Sequence, residues 1–168
     1  MKASVYYDSA TGNTAKIAKA IQSALPEGTL CEQINADTVP ESELVFAGFW
    51  TDKGSCTEQF ADFLKKLDKK KVALFGTCGM GGSPGYFTQI AGRVRENLPK
   101  GCTVAGEFMC QGAMQASVGK RYEAMLEKDP ENVQYQKMLE NFKTALVHPD
   151  DLDEIAARRF AGNVMKSV

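Results

Sequence analysis

The sequence predicts an α/β fold, a doubly wound parallel sheet of five strands. Strand and helix patterns alternate along the chain, which is typical of this class. Two strand patterns, residues 44–50 (LVFAGFW) and 72–77 (VALFGT), are continuously apolar, as expected for parallel strands covered on both faces. With 168 residues, 43% of them hydrophobic and 24% charged, the chain is predicted to be a single domain over residues 1–168.

The first half of the chain begins with a strand at residues 2–7. A helix is predicted at residues 14–25, where three apolar residues at helical spacing share one face: Ile17, Ile21 and Leu25. Pro26 and Gly28 indicate the end of this helix. A second, weaker strand follows at residues 30–34.

The second half repeats this alternation after the buried strand at residues 44–50. A helix is predicted at residues 57–67 with an apolar face made of Phe60, Phe63, Leu64 and Leu67. The strand at residues 72–77 leads to a helix at residues 86–98. The apolar face of that helix contains Phe87, Ile90, Ala91, Val94 and Leu98. A fifth strand is predicted at residues 103–110.

A helical insert follows strand five, over about residues 117–147, interrupted at Asp129 and Pro130. Its second half carries an apolar stripe of Tyr135, Met138, Leu139, Phe142 and Leu146. A last helix begins around residues 148–151. The residues expected to face the core from it are Leu152, Ile155, Ala156, Phe160 and Val164. Two roles remain open for the insert: a cover on one edge of the fold, or a lid or partner-binding element near a ligand.

The loop after strand one has the composition of a phosphate site. Its residues are Ser9, Ala10, Thr11, Gly12, Asn13 and Thr14. A helix N-terminus offers unpaired N–H groups and partial positive charge, the hydroxyls are donors, and Gly12 permits close approach. The loop matches neither the Walker A pattern nor G-x-G-x-x-G. Serine and threonine also cap helices without any ligand, so plain capping is the alternative.

Two further loops lie at strand ends where ligands bind in such sheets. The loop after strand three contains Trp50, Thr51, Asp52, Lys53 and Gly54. Trp50 offers a flat surface for a planar ring, although core packing is its alternative. The loop after strand four contains Thr77, Cys78, Gly79, Met80, Gly81, Gly82 and Tyr86. Its glycines allow backbone N–H groups to reach a ligand, and a flexible turn is the alternative.

The segment Ser9 to Thr14 (SATGNT) resembles the flavodoxin signature Ser/Thr-x-Thr-Gly-x-Thr. This resemblance covers about residues 1–112 and the last helix. It implies the strand order 2-1-3-4-5 and FMN as cofactor, with its phosphate in this loop. It also implies that Trp50 stacks on the isoalloxazine and that Gly79, Met80, Gly81 and Gly82 line the ring, with Tyr86 or Phe87 nearby. No catalytic residue and no metal ligand is predicted.

The resemblance implies an electron carrier that serves a redox partner protein, a reductase and an acceptor. The alternative is an FMN-dependent reductase, or reductase subunit, that acts on a small molecule such as a quinone or tetrapyrrole. Residues 49–54 (FWTDKG) with 77–79 (TCG) resemble a flavodoxin-like subfamily that accompanies bilirubin reductase in gut anaerobes. Lys53 departs from the flavodoxin pattern, and a cation near the flavin N1 favours the anionic hydroquinone.

Other classes of protein are disfavoured by composition and spacing. The net charge of −1 lacks the basic surface that nucleic acids require. No apolar run is long enough for a membrane span, and no signal peptide is expected. Five cysteines without a C-x-x-C pair indicate reduced thiols and a cytoplasmic location. A tyrosine phosphatase needs Cys-x5-Arg, but Pro84 occupies the arginine position after Cys78. We expect a monomer or a weak homo-oligomer.

Overall fold

The computed structural model describes residues 1–81 and 83–168. Five strands form one parallel sheet: β1 (Ala3–Tyr7), β2 (Leu30–Gln33), β3 (Leu44–Trp50), β4 (Lys71–Cys78) and β5 (Thr103–Gln111). Their order across the sheet is β2-β1-β3-β4-β5. The predicted fold class and strand order are therefore confirmed.

In the described part of the chain, six helices surround this sheet: α1 (Asn13–Ser23), α2 (Glu58–Lys65), α3 (Pro84–Arg95), α4 (Ala116–Lys128), α5 (Val133–Ala145) and α6 (Asp151–Ser167). Helices α1 and α6 contribute to the core on one face of the sheet, and α2 and α3 to the core on the other. The predicted insert is the pair α4 and α5, which pack against each other between β5 and α6. None of the helices described is long and apolar enough to cross a membrane.

The core under α2 and α3 confirms the apolar faces predicted for those helices. Phe60, Phe63, Leu64 and Leu67 are all at most 2% exposed, and Ile90 and Val94 are fully buried. The Phe60 ring lies 5.7 Å from the Phe49 ring of β3, centroid to centroid. This helical layer therefore holds β3 and β4 in place, and the carboxyl ends of these strands carry two of the candidate loops.

The apolar face predicted for α6 was wrong in its first turns. Leu152 is 72% exposed and Ile155 is 48% exposed. The face that packs on α1 and the sheet instead consists of Ala157, Ala161 and Val164, with Phe160 at its edge. Small side chains let α6 approach α1 and the sheet closely, so the larger residues at the start of α6 lie outside the contact.

Candidate functional site

A cavity of about 620 Å³ lies at the carboxyl ends of β1, β3 and β4. The sequence-predicted residues that line it come from all three candidate loops: Ala10, Thr11, Asn13, Trp50, Thr51, Asp52, Lys53, Gly54, Thr77, Cys78, Gly79, Met80 and Tyr86. Residues after β5 complete the lining: Ala113, Met114, Gln115, Val118, Arg121 and Tyr122. The other predicted residues, Ser9, Gly12, Thr14 and Gly81, lie beside the cavity without lining it, and Gly82 lies outside the described residues.

A second cavity, of about 580 Å³, lies at the start of the strands, around Lys2, Gly28 and Glu41. Ligands of open parallel sheets bind beyond the carboxyl ends of the strands, where the order of strands reverses. In this sheet β1 lies between β2 and β3, so the reversal is at the β1–β3 pair. The cavity between the three predicted loops is therefore the candidate functional site.

The first loop presents its backbone donors as an anion site requires. Gly12 is the N-cap of α1 in the left-handed conformation, with φ of 97°, and as a glycine it has no side chain to cap the helix, so Ser9 takes that part. Space is open where a Gly12 Cβ would lie. Ser9 Oγ accepts from the Gly12 N–H at 3.2 Å and the Ala15 N–H at 3.3 Å. Hydroxyl and backbone donors converge here without any basic side chain in the loop, which fits a phosphate.

Two predicted residues of this loop instead connect it to its neighbours. Thr14 is fully buried, and its Oγ1 lies 3.0 Å from Thr77 Oγ1 at the end of β4. Asn13 Nδ2 donates to the Ala113 carbonyl after β5 at 2.9 Å. Any contribution of these two residues to a phosphate would therefore come from their backbone N–H groups.

The loop after β3 is a tight hairpin. The Asp52 N–H donates to the Ser55 carbonyl and the Ser55 N–H to the Asp52 carbonyl, both at 2.9 Å. Lys53 and Gly54 have φ of 48° and 79°, the two positive values that define a type I′ turn. Arg93 of α3 donates to the Gly54 carbonyl at 3.0 Å. This turn places Lys53 in the cavity lining, and its backbone is held by the hairpin bonds between Asp52 and Ser55.

The loop after β4 needs glycine because it runs against other chain segments. A Cβ on Gly79 would lie 2.4 Å from Met114 Cγ, and one on Gly81 would lie 2.3 Å from Gln111 Cδ. Both distances are far below van der Waals contact, so these glycines serve packing as well as any ligand. The Gly81 N–H donates to Asn141 Oδ1 of α5 at 3.1 Å.

Titratable groups of the lining with shifted pKa values favour their neutral forms. Burial raises the pKa of the Cys78 thiol, and hydrogen bonds with Thr51 and the backbone only partly offset this. Burial also raises the pKa of Tyr86, with the Cys78 thiol as a second cause. Cys78 is therefore not an activated nucleophile at neutral pH.

The sole histidine lies outside the cavity lining. His148 Nδ1 is 2.6 Å from Asp153 Oδ2. Asp150 and Asp153 form the capping box at the start of α6, which accounts for the carboxylates near the ring. The His148 carbonyl accepts from the Ala113 N–H at 2.8 Å, so this turn supports the loop after β5.

The insert and the loop before it bring further residues to the cavity, none of which was predicted from the sequence. Val118, Arg121 and Tyr122 line it from α4, and Met114 and Gln115 from the loop before α4. The Arg121 guanidinium carbon lies 5.7 Å from the Tyr122 ring centroid. The helical insert predicted over about residues 117–147 includes α4, but no local signal indicated which face of α4 meets the cavity.

A family model described as Flavodoxin domain matches residues 4–162. The chain belongs to the flavodoxin family. A flavodoxin-like domain-containing protein, BilS of Clostridium symbiosum, is 35% identical over 179 aligned positions that cover 95% of this chain and 94% of the relative. Membership of this family supports FMN as the cofactor. At the level of the family, it also supports the role of an electron-transfer flavoprotein.

Solved structures agree on the flavodoxin fold. Oxidised flavodoxin 2 from Bacillus cereus superimposes with a TM-score of 0.61 at 20% identity, with both chains covered completely. A flavoprotein from Lactobacillus acidophilus, solved in complex with FMN, gives a TM-score of 0.50 at 18% identity and covers 64% of this chain and 92% of its own. At these identities the likeness concerns the fold alone.

Proposed function

We propose that this flavodoxin-family protein binds FMN in the cavity at the carboxyl ends of β1, β3 and β4 and transfers electrons between two redox partner proteins, a reductase and an acceptor. One observation carries the proposal. The three loops predicted separately from the sequence surround a single cavity of about 620 Å³. A cavity of this size is in the range that holds a molecule as large as a cofactor.

The residues divide into a phosphate end and a ring end. Ser9, Thr11 and the first N–H groups of α1 would hold the phosphate. Trp50, Met80 and Tyr86 would contact the isoalloxazine ring from the two other loops. When bound, FMN supplies one- and two-electron transfer, and the protein contributes binding, orientation and electrostatics.

An electron carrier needs no acid or base from the protein, which agrees with the neutral forms favoured for Cys78 and Tyr86. All five cysteines are free thiols in the structure. Free thiols suit the cytoplasmic location expected from the sequence.

A second candidate is an FMN-dependent reductase, or reductase subunit, that acts on a quinone or tetrapyrrole. The observation that favours it is the α4 wall, in which Val118, Arg121 and Tyr122 line the cavity. Such a wall could shape a pocket for a small molecule beside the flavin. An apolar wall with one cation suits a flat, acidic molecule.

Binding is tested by titrating flavin-free protein with FMN and with riboflavin, which lacks the phosphate. We expect yellow protein with flavin absorption. Ser9→Ala should weaken FMN binding by about tenfold or more, because a hydrogen bond to a charged group is lost, while riboflavin binding stays unchanged. Ser23→Ala, at the other end of α1 and exposed, is the matched control and should change neither. A wild-type protein that remains free of flavin at micromolar FMN would refute the proposal.

Carrier and reductase are separated by anaerobic NAD(P)H oxidation with the FMN-loaded protein alone. A carrier should not oxidise NAD(P)H until a flavodoxin reductase is added. A reductase should do so unaided in the presence of a quinone, and Arg121→Ala should then raise KM for an acidic substrate. If the FMN-loaded protein oxidises NAD(P)H without a flavodoxin reductase, the reductase function replaces the carrier function as the conclusion.

A further inference from the structure

The insert is connected to the loop after β4 by one side chain of α5. Asn141 Oδ1 accepts from the Gly81 N–H at 3.1 Å. Asn141 Nδ2 donates to the Gly79 carbonyl at 3.1 Å and lies 3.4 Å from Met80 Sδ. One amide therefore contacts three consecutive residues of the loop whose Gly79 and Met80 line the cavity.

The backbone partners determine the orientation of this amide. A backbone N–H can only donate and a carbonyl can only accept, so the Asn141 oxygen must face Gly81 and its nitrogen must face Gly79. The opposite orientation would place two donors together at Gly81 and two acceptors together at Gly79. An asparagine can both accept from the Gly81 N–H and donate to the Gly79 carbonyl, whereas an aspartate can only accept from Gly81.

A second amide joins the same network from the end of β5. Gln111 Nε2 donates to the Gly79 carbonyl at 3.0 Å and to Asn141 Oδ1 at 3.1 Å. The Gly79 carbonyl thus accepts from both amides. Gly81 allows this approach because a Cβ there would collide with the Gln111 side chain. The network ties β5, α5 and the glycine-rich loop together.

We propose that Asn141 is a positioning residue for the flavin ring: it holds the Gly79–Gly81 backbone in the shape that binds the ring. This inference rests on the proposed function. A glycine-rich loop has many conformations, so ordering it on binding is unfavourable unless other contacts order it first. Because Asn141 restrains the loop before the flavin binds, less conformational entropy is lost on binding. The ring end of the site is then preorganised.

The first test compares FMN and riboflavin binding to Asn141→Leu. Leucine has the same number and branching of side-chain heavy atoms as asparagine but makes none of these hydrogen bonds. We expect both dissociation constants to rise by about tenfold and their ratio to remain that of the wild type, because the phosphate end is untouched. A change confined to FMN, or no change for either flavin, would overturn the proposal.

The matched control is Asn132→Ala at the start of the same helix. Asn132 is the N-cap of α5 and accepts from the Tyr135 N–H at 3.2 Å. Its removal lowers the stability of α5 without touching the network. Flavin binding should change by less than about twofold, within the range of a distant substitution. An equal loss in this control would mean that Asn141 acts only through the stability of α5.

A second measurement does not require flavin. In the flavin-free protein the Gly81 amide should be protected from hydrogen exchange, and Asn141→Leu should speed its exchange by about tenfold. Asn141→Asp keeps the acceptor for Gly81 and should retain this protection. It should still weaken ring binding, because the Gly79 carbonyl loses one of its two donors and keeps only Gln111. Unchanged Gly81 exchange in Asn141→Leu overturns the inference. If Asn141→Leu speeds this exchange but the wild type binds no flavin, the proposed function is overturned, while the connection between the insert and the loop is established.

Discussion

Thr14 Oγ1 and Thr77 Oγ1 lie 3.0 Å apart in the interior, where α1 begins and β4 ends. Thr14 is fully buried and Thr77 is 3% exposed. This pair joins the loop after β1 to the end of β4. The Thr77 carbonyl also accepts from the N–H and the Oγ1 hydroxyl of Thr51, both at 2.9 Å, so the loop after β3 is attached at the same point.

Thr14→Val and Thr77→Val should each lower the free energy of unfolding by about 1–3 kcal/mol, because each leaves one buried hydroxyl without its partner. The double variant should lose clearly less than the sum, since no hydroxyl then remains unpaired. Urea unfolding of the four proteins measures this coupling. Additive losses would show that the hydroxyl pair is not an interacting unit.

Two helix glycines should respond to alanine in opposite directions. A Cβ on Gly119 of α4 would lie 2.4 Å from the Phe142 ring of α5, so Gly119→Ala should destabilise by about 1–3 kcal/mol. Gly162 of α6 has open space, so Gly162→Ala should stabilise by roughly 0.5–1 kcal/mol. Thermal unfolding followed by circular dichroism compares the two. A stabilising Gly119→Ala would contradict the α4–α5 packing, and a destabilising Gly162→Ala would contradict the open space at Gly162.

Removing the charge of Lys53 should lower the potential at which bound FMN accepts its second electron. Lys53→Asn is preferable to alanine, because φ is 48° here and asparagine tolerates that conformation. We expect a decrease on the order of 20 mV, about a twofold change in an equilibrium constant, as for an exposed charge. Lys53→Arg keeps the charge and is the control. An anaerobic redox titration decides, and identical potentials would show that the Lys53 charge does not reach the flavin.

Acid should weaken the start of α6 through Asp150. The Asp153 N–H, which donates to the Asp150 carboxylate, is the main cause that lowers the pKa of Asp150 from its ordinary value of 3.8. A carboxylate with a lowered folded pKa contributes stability above its unfolded pKa, and that stability is lost as the pH falls through the folded pKa. Asp150→Asn can still cap the helix but cannot titrate. Unfolding between about pH 5 and pH 2 should therefore depend less steeply on pH in this variant than in the wild type; parallel curves would contradict the role of Asp150.

Much of the candidate site could be predicted because its parts are local in the chain. The Ser9–Thr14 loop, the Trp50–Gly54 loop and the glycines after β4 each carry their signal within a few residues. Gln111 and Asn141 could not be predicted as site-positioning residues. They are 30 residues apart in the chain and meet only after β5 and α5 have packed.

The alternation of strands and helices, the three strand-end loops and the resemblance to flavodoxins can all be read from the sequence, since hydropathy period and turn composition are properties of short segments. The packing of the folded chain selects the buried face of α6, so that Leu152 is exposed and Ala157 is not. It also decided that α4 lines the cavity and that Asn141 holds the Gly79–Gly81 backbone. These outcomes depend on how packed elements rotate against one another, and helical periodicity alone does not determine that rotation.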